Sequence, residues 1–297
     1  MDRENLPLII PIDKPEDMTS FDLVAIARRK LGIKNIGHLG TLDPMATGVL
    51  PVLLGNYTKL SKYLIEHDKK YQVKLKLGEK RDTGDSEGKI TEKQNVELEN
   101  LNETKIIEIL NTFIGESEQI PPMYSAIKVK GKKLYEYARE GKEVKLEPRK
   151  INIYKINLIQ FNKENQEIEF EVMCSKGTYI RSLCEDIAKK LGTIGYMSDL
   201  KRTNVDRFNI ENAITLDELE NNKSNIDFME KHLVKMETIF GSLKKITLNN
   251  RKKELFLNGV MITFELEEGM YNIYDSNNSY LGTGIVKNEL LKRDIIL

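Results

Sequence analysis

Residues Tyr71 to Leu77 alternate without a break. Tyr71, Val73, Leu75 and Leu77 form one set, and Gln72, Lys74 and Lys76 the other. Side chains on a strand point to opposite faces with a period of two, so this run predicts a half-buried strand with one face committed to a core. Ile151–Phe161 and Ile168–Cys174 also read as strands, placed to form a hairpin. Leu6–Ile12 reads as a short buried strand, and Val49–Leu54 is an apolar run ending at Gly55. Helical signals lie between these strands. Thr19 with Asp22 makes a capping box for a helix that closes at Gly32. Leu60, Tyr63 and Leu64 recur at helical spacing. Further helices are predicted over Thr104–Ile114, closed by Gly115, and over Ser182–Leu191, closed by Gly192. Strands and helices in this order predict an α+β protein built on a mixed, mostly antiparallel sheet.

With 297 residues, 40% hydrophobic and 31% charged, the chain has an ordinary globular composition. Residues 1–240 are expected to form one large domain. Thr215 to about Lys244 is polar and weakly periodic and reads as a linker. Short strand-like runs at Lys245–Leu248, Val260–Phe264, Tyr271–Tyr274 and Tyr280–Val286 predict a small β-rich domain over 245–297.

Two cysteines and three histidines, with no CxxC pair, argue against a zinc site or disulfide framework, and no metal is expected. The apolar run near the N-terminus is too short for a signal peptide, and no stretch approaches the ~18 apolar residues of a membrane span. A cytoplasmic, monomeric protein is expected. Lys+Arg and Asp+Glu both number 46, but charge is unevenly placed. Residues 119–155 hold ten Lys/Arg against four Glu, interleaved with Tyr124, Tyr135 and Tyr137. Such a segment suits an RNA-facing surface, and suits a solvated lysine-rich loop about equally well.

Three segments carry candidate chemistry: Gly37–Gly55, Tyr71 and Ser175–Arg181. In Gly37–Gly55, Pro44 keeps Asp43 out of the helical region, and Gly37 and Gly40 allow a tight turn before it. Asp43 is therefore expected at the tip of a rigid loop, where it could be a reactive carboxylate or a cap of the turn after it. In Ser175–Arg181, an extended backbone would put Tyr179 and Arg181 on one face. An arginine beside a carboxylate in a dry pocket would keep it ionised. Taken singly, Tyr179 reads as core and Arg181 as a surface charge.

Together, the segments resemble the TruB family of tRNA pseudouridine synthases. Lys14-Pro15 with Thr19-Ser20 is similar to the family's KPxGxTS box, with Asp17 in place of the glycine. His38–Gly55 resembles its GHxGxLDPxATGxLP segment. Lys69-Lys70-Tyr71, Leu77-Gly78 and Asp82–Asp85 resemble the next box, and Gln119–Ala126 with Lys128 and Gly131–Tyr135 resembles an RNA-clasping insert spanning about 119–150. Cys174–Arg181 and Leu200–Thr203 complete the series in family order over roughly residues 8–205.

The resemblance implies isomerisation of the uridine at position 55 in the tRNA T loop, with Asp43 as catalytic carboxylate. It implies that Arg181 pairs with Asp43, that Tyr71 stacks on the uracil near C5, and that Tyr179 lines the pocket. Leu200 would cover the apolar side, and His38 would fill the space the flipped base leaves. Lys14 and Pro15 would support the loop, and Lys130, Lys132, Lys133 and Tyr124 would contact RNA. The C-terminal region is weakly similar to the family's PUA-like tails. No redox step or hydrolysis is involved, so no cofactor is implied. A tRNA-binding and folding protein that acts without catalysis is the alternative.

Overall fold

The computed structural model describes residues 9–64, 67–142 and 144–296. The main sheet is built from β1 (Ile9–Lys14), β2 (Ile36–His38), β3 (Thr47–Leu54), β4 (Lys69–Leu77), β5 (Gly115–Gln119), β6 (Arg149–Asn162), β7 (Glu167–Cys174), β8 (Gly195–Val205) and β9 (Phe208–Asn209). The spatial order is β1-β3-β8-β4-β7-β6-β5, with β2 added to β3 and β9 to β8. Only β3 and β8 run parallel, so the sheet is mixed and mostly antiparallel as expected. The expected strand at Leu6–Ile12 is observed from Ile9; residues 6–8 lie outside the described residues.

β4 is the central strand, and its period-two pattern is realised. Val73 and Leu75 are fully buried, and Tyr71 and Leu77 nearly so. Each large apolar side chain buried in this way contributes about 1.5–3 kcal/mol. That face packs under α2 (Glu103–Asn111) and α3 (Ile180–Lys190), and against Leu42, Met45 and Ala46 of the loop before β3. The opposite face is polar, with Lys70 paired to Glu171 at 2.7 Å and Lys74 to Asp199 at 3.6 Å. α1 (Ser20–Leu31) covers β1 and β3; the Thr19–Asp22 capping box and a left-handed Gly32 bound it as predicted.

Four expectations need correction. The segment 215–244 is not a linker. It folds into short helices Leu216–Asn222, Ile226–His232 and Met236–Ile239. Leu219 and Met236 are fully buried in the cores beside β1 and β3, and Ile12–Ile214 and Ile9–Val234 bridges stitch the segment down. Helices of four to seven residues are too short to display a period. The predicted 104–114 helix stops at Asn111, and Gly115 (φ +109°) opens β5 instead. The tight turn expected from Gly37 begins later, because that glycine lies inside β2, which runs to His38. The segment through Tyr179–Arg181 is not extended, because α3 begins at Ile180.

The chain ends in a second sheet of five strands: β10 (Lys245–Leu248), β11 (Ile262–Thr263), β12 (Gly269–Asp275), β13 (Tyr280–Lys287) and β14 (Leu290–Ile296). Their order is β10-β12-β13-β14-β11. A helix, Asn250–Leu257, interrupts the predicted run of strands.

Candidate active site

The loop between β2 and β3 is fixed from three sides. Ser20, at the first turn of α1, donates its hydroxyl to the Leu42 carbonyl at 3.1 Å and accepts the Leu42 N–H at 2.9 Å. The buried Lys14 ammonium donates to the carbonyls of Pro15 (2.8 Å), Met18 (2.5 Å) and Pro44 (3.0 Å). Arg202, fully buried on β8, donates from Nη2 to the Gly40 carbonyl at 3.0 Å and from Nε to the Val49 carbonyl at 2.9 Å. The parallel pairing of β3 and β8 brings Gly48 so close to Arg202 that a Cβ would sit 2.2 Å from the Arg202 carbonyl oxygen. Gly48 also has φ +105°, so only glycine fits there without strain. Asp17 occupies the left-handed region at φ +57°. An aspartate tolerates that conformation better than most side chains, which is how this turn accommodates the departure from glycine.

Asp43 emerges at the tip of this loop. Its carboxylate faces a guanidinium fork: Arg181 Nε lies 3.1 Å from Oδ2, and Nη2 donates to Oδ1 at 3.3 Å. The same guanidinium donates to the carbonyls of Thr83 (3.1 Å) and Tyr124 (2.9 Å) and lies 3.4 Å from Asp85 Oδ2. Every edge of Arg181 is thus engaged, and the side chain is buried. Its orientation comes from α3, whose start is clasped by Gln119. Gln119 accepts the Tyr179 N–H at 2.8 Å and donates to the Tyr179 carbonyl at 3.0 Å. Tyr179 is therefore the half-buried residue that opens α3, and Arg181 reaches Asp43 from the first helical turn.

Asp85 is a site residue to which the sequence assigned no role. It is buried, accepts from Thr83 Oγ1 at 2.6 Å and from the Glu87 N–H at 3.2 Å, and balances Arg181 opposite Asp43. In the sequence, Asp82–Asp85 is indistinguishable from a solvated turn. Its only signal is membership of a box that also carries Tyr71.

Electrostatics separate the groups. Burial pushes the Asp43 carboxyl above its ordinary range, against the opposing pull of Arg181, and Asp85 adds to the rise. The expected effect of Arg181 is present, but burial outweighs it, although 32% of the Asp43 side chain remains exposed. Burial raises the Tyr71 phenol to about 12, with Arg202 opposing. Tyr71 lies directly across from Arg202 in the β4–β8 register. Lys14 is lowered to about 8, mainly by burial. His38, on β2, is lowered by burial and by Arg202, and its buried Nδ1 has no hydrogen-bond partner among the described residues.

The structure brings Asp43, Arg181, Tyr71, Leu200 and Lys14 together. Leu200 is buried in the same cluster as Tyr71, Leu42 and Met45, while Pro15 is exposed at the outer edge. Tyr124 joins the site through its carbonyl. The three insert lysines lie on a separate hairpin, Lys128–Val129 with Lys132–Lys133. Lys130 is exposed at its tip, Lys132 is paired with Glu140 and lies over the Tyr137 ring, and Lys133 donates to Tyr135 at 3.3 Å. Among the described residues, no His/Cys/Asp/Glu group could hold a metal ion, and no helix is long and apolar enough to cross a membrane.

Comparison with known proteins gives the family and the fold. Residues 28–180 match the description "TruB family pseudouridylate synthase (N terminal domain)", and residues 181–240 match "tRNA pseudouridylate synthase B C-terminal domain". The chain is 42% identical over 286 residues to the tRNA pseudouridine synthase B of Caldanaerobacter subterraneus subsp. tengcongensis, covering 96% of each chain. It is 44% identical over 254 residues to that of Clostridium tetani, covering 86% of this chain and 85% of the relative. Among solved structures, the fold is shared with a Cbf5-Nop10-Gar1 complex (TM-score 0.68, 24% identity, 98% of this chain and 84% of that one). It is also shared with an H/ACA RNP bound to a substrate RNA containing 2′-deoxyuridine (TM-score 0.69, 22% identity, 99% and 86%).

Proposed function

The chain belongs to the TruB family of pseudouridylate synthases, and from that premise we propose that it isomerises the T-loop uridine of tRNA, position 55, to pseudouridine. The observation that carries this reading is the Asp43 carboxylate, held by the Arg181 fork yet open to the cleft beside Tyr71. The reaction breaks the N1–C1′ bond, turns the uracil, and rejoins it through C5, which then loses its proton while N1 gains one. The target base must leave its stack to reach the carboxylate. Asp43 acts at the ribose, by attack on C1′ as in retaining glycosidases or by removing a ribose proton, and either route needs the ionised form. Arg181 opposes the effect of burial, favouring that form, and fixes the direction of the oxygens. Tyr71 offers its ring to the base and, with a phenol pKa near 12, stays protonated at neutral pH. Leu200 closes the apolar wall, Tyr179 lines the entrance, and His38, predominantly neutral, fills the space the base leaves in the RNA.

In this reading, residues 1–240 are the catalytic unit with the insert at 119–150, and 245–297 are a PUA-like tail. The protein acts as a cytoplasmic monomer. Tyr124 and the hairpin bearing Lys130, Lys132 and Lys133 contact the RNA. Charge-neutral replacement of the three lysines weakens tRNA binding and flattens its salt dependence, most through the exposed Lys130; unchanged affinity across a salt series would return the hairpin to ordinary surface.

The decisive experiment maps pseudouridine on an unmodified tRNA transcript after incubation with wild type and Asp43→Asn. Product at the T-loop uridine with wild type alone is expected. Product with both would move the catalytic role elsewhere, and tight binding without product would favour a tRNA-folding protein.

A further inference from the structure

Beside the catalytic loop lies a group of cations that the chemistry above does not use. Lys69 is the first residue of β4, two before Tyr71 and on the same face, about 7 Å away along the strand. Its Nζ donates to the His67 carbonyl at 2.5 Å. Gly40, three residues before Asp43, is the floor between Lys69 and Arg202. A Cβ built there would lie 3.5 Å from Lys69 Cε and 3.4 Å from Arg202 Nη1. Arg202 is fully buried, its Nε and Nη2 donate to carbonyls, the Tyr71 phenol is a further hydrogen-bond partner, and among the described residues no carboxylate pairs with it.

Lys176 adds charge from the segment before α3, and Arg202 and Lys176 both push the Lys69 ammonium towards its neutral form, after burial itself. Asp68 and Cys174 pull the other way; Asp68 accepts from the Tyr154 hydroxyl at 3.1 Å, and Cys174 is a buried thiol. A buried cation without a carboxylate partner is costly. Lys69, half-buried at the rim of the site, is the cation beside Arg202 that an incoming anion can reach.

We propose that Lys69 is a phosphate-binding residue that holds one of the two backbone phosphates flanking the target uridine, over the Gly40 floor and in the field of Arg202. The inference rests on the reading of Tyr71 as the platform for the flipped base. A nucleotide stacked there must carry its sugar-phosphate backbone off the start of β4, where Lys69 stands. The anion would complete the charge balance only when the substrate is seated, so the contact also favours the flipped state over an RNA merely resting on the surface.

The test uses T-arm stem-loop RNAs carrying a single neutral methylphosphonate, either 5′ or 3′ of the target uridine. Dissociation constants are measured across a salt series for wild type, Lys69→Gln and Lys69→Arg. With unmodified RNA, Lys69→Gln is expected to weaken binding and to lower the log–log salt slope by about 0.7–0.9, the loss of one phosphate contact. Lys69→Arg restores the slope, which separates charge from misfolding. One of the two methylphosphonates reproduces the loss in wild type and causes no further loss in Lys69→Gln. Two outcomes overturn the proposal. One is a wild-type slope in Lys69→Gln. The other is full additivity of Lys69→Gln with both methylphosphonates, including the case where inorganic phosphate at matched ionic strength competes only when Lys69 is present, which would mean a free-phosphate site. Pseudouridine formation by wild type on the unmodified RNA is followed in parallel, so a failure of the activity itself is seen separately.

Discussion

At Asp43, catalysis and stability pull in opposite directions. The folded carboxyl titrates above its ordinary value because burial outweighs the Arg181 contact. Over the window from about 3.8 up to that raised value, the folded protein holds a proton that the unfolded chain has released. Stability therefore falls as pH rises through this window, and the ionised form needed for chemistry is the less stable one. Asp43→Asn removes the titration and still leaves Arg181 paired with Asp85. Its stability at neutral pH should equal or exceed that of wild type, and the fall that begins above about pH 3.8 should shrink, while turnover drops by at least about 100-fold. Urea denaturation at several pH values with single-turnover assays checks both. A variant clearly less stable than wild type at neutral pH would mean that the Arg181 fork, not burial, dominates this carboxylate.

At the scale of elements, the site depends on how closely β3 approaches β8. Gly48→Ala would force a Cβ against the Arg202 carbonyl and strain a residue at φ +105°. The combined cost is about 2–4 kcal/mol. The strands must part, and Arg202 then loses its grip on Gly40 and Val49 at the two ends of the Asp43 loop. Chemical denaturation should show that loss, and single-turnover rates should fall further than tRNA affinity; an unchanged rate would show that the loop does not rely on this approach. Gly48 was legible as part of a turn-rich segment, but its partner was not. Arg202 sits in Leu-Lys-Arg-Thr, which by composition is an exposed strand end, and only the register with Tyr71 and Gly48 buries it. The alternation of Tyr71–Leu77 needed no such information, since one period fixes its face. The Pro44 and Gly40 signals for the Asp43 loop were local in the same way. Arg181 was legible as a residue but misplaced in conformation, because the start of α3 is set by Gln119, sixty residues earlier in the chain. Asp85 and the helices of 215–244 were missed for the same reason: each is defined by what it touches across the fold.

At the scale of the whole molecule, the tail is bound to the body by a strand that serves two cores. On β14, Leu291 is buried in the tail cluster, whereas Ile295 is buried with Ile9, Leu39 and Leu53 of the body. Between them Asp294, only 6% exposed, accepts from Lys62 Nζ at 2.6 Å, Tyr63 Oη at 2.8 Å and Thr283 Oγ1 at 3.1 Å. Tyr274 adds a 2.5 Å hydrogen bond to Glu237. Body and tail should therefore unfold together in one transition. Asp294→Ala leaves the Tyr63 and Thr283 hydroxyls without their acceptor at the seam, a loss of about 2–4 kcal/mol. Lys62→Met removes a partner whose side chain is 54% exposed and should cost less than about 1 kcal/mol. If Asp294 is the fastening, its loss does more than lower the midpoint. The transition should broaden or split, with the tail melting before the body, when near- and far-ultraviolet signals are followed through a urea titration. A single sharp transition shifted intact would mean instead that the apolar contact at Ile295 couples the two sheets without help from the charge above it.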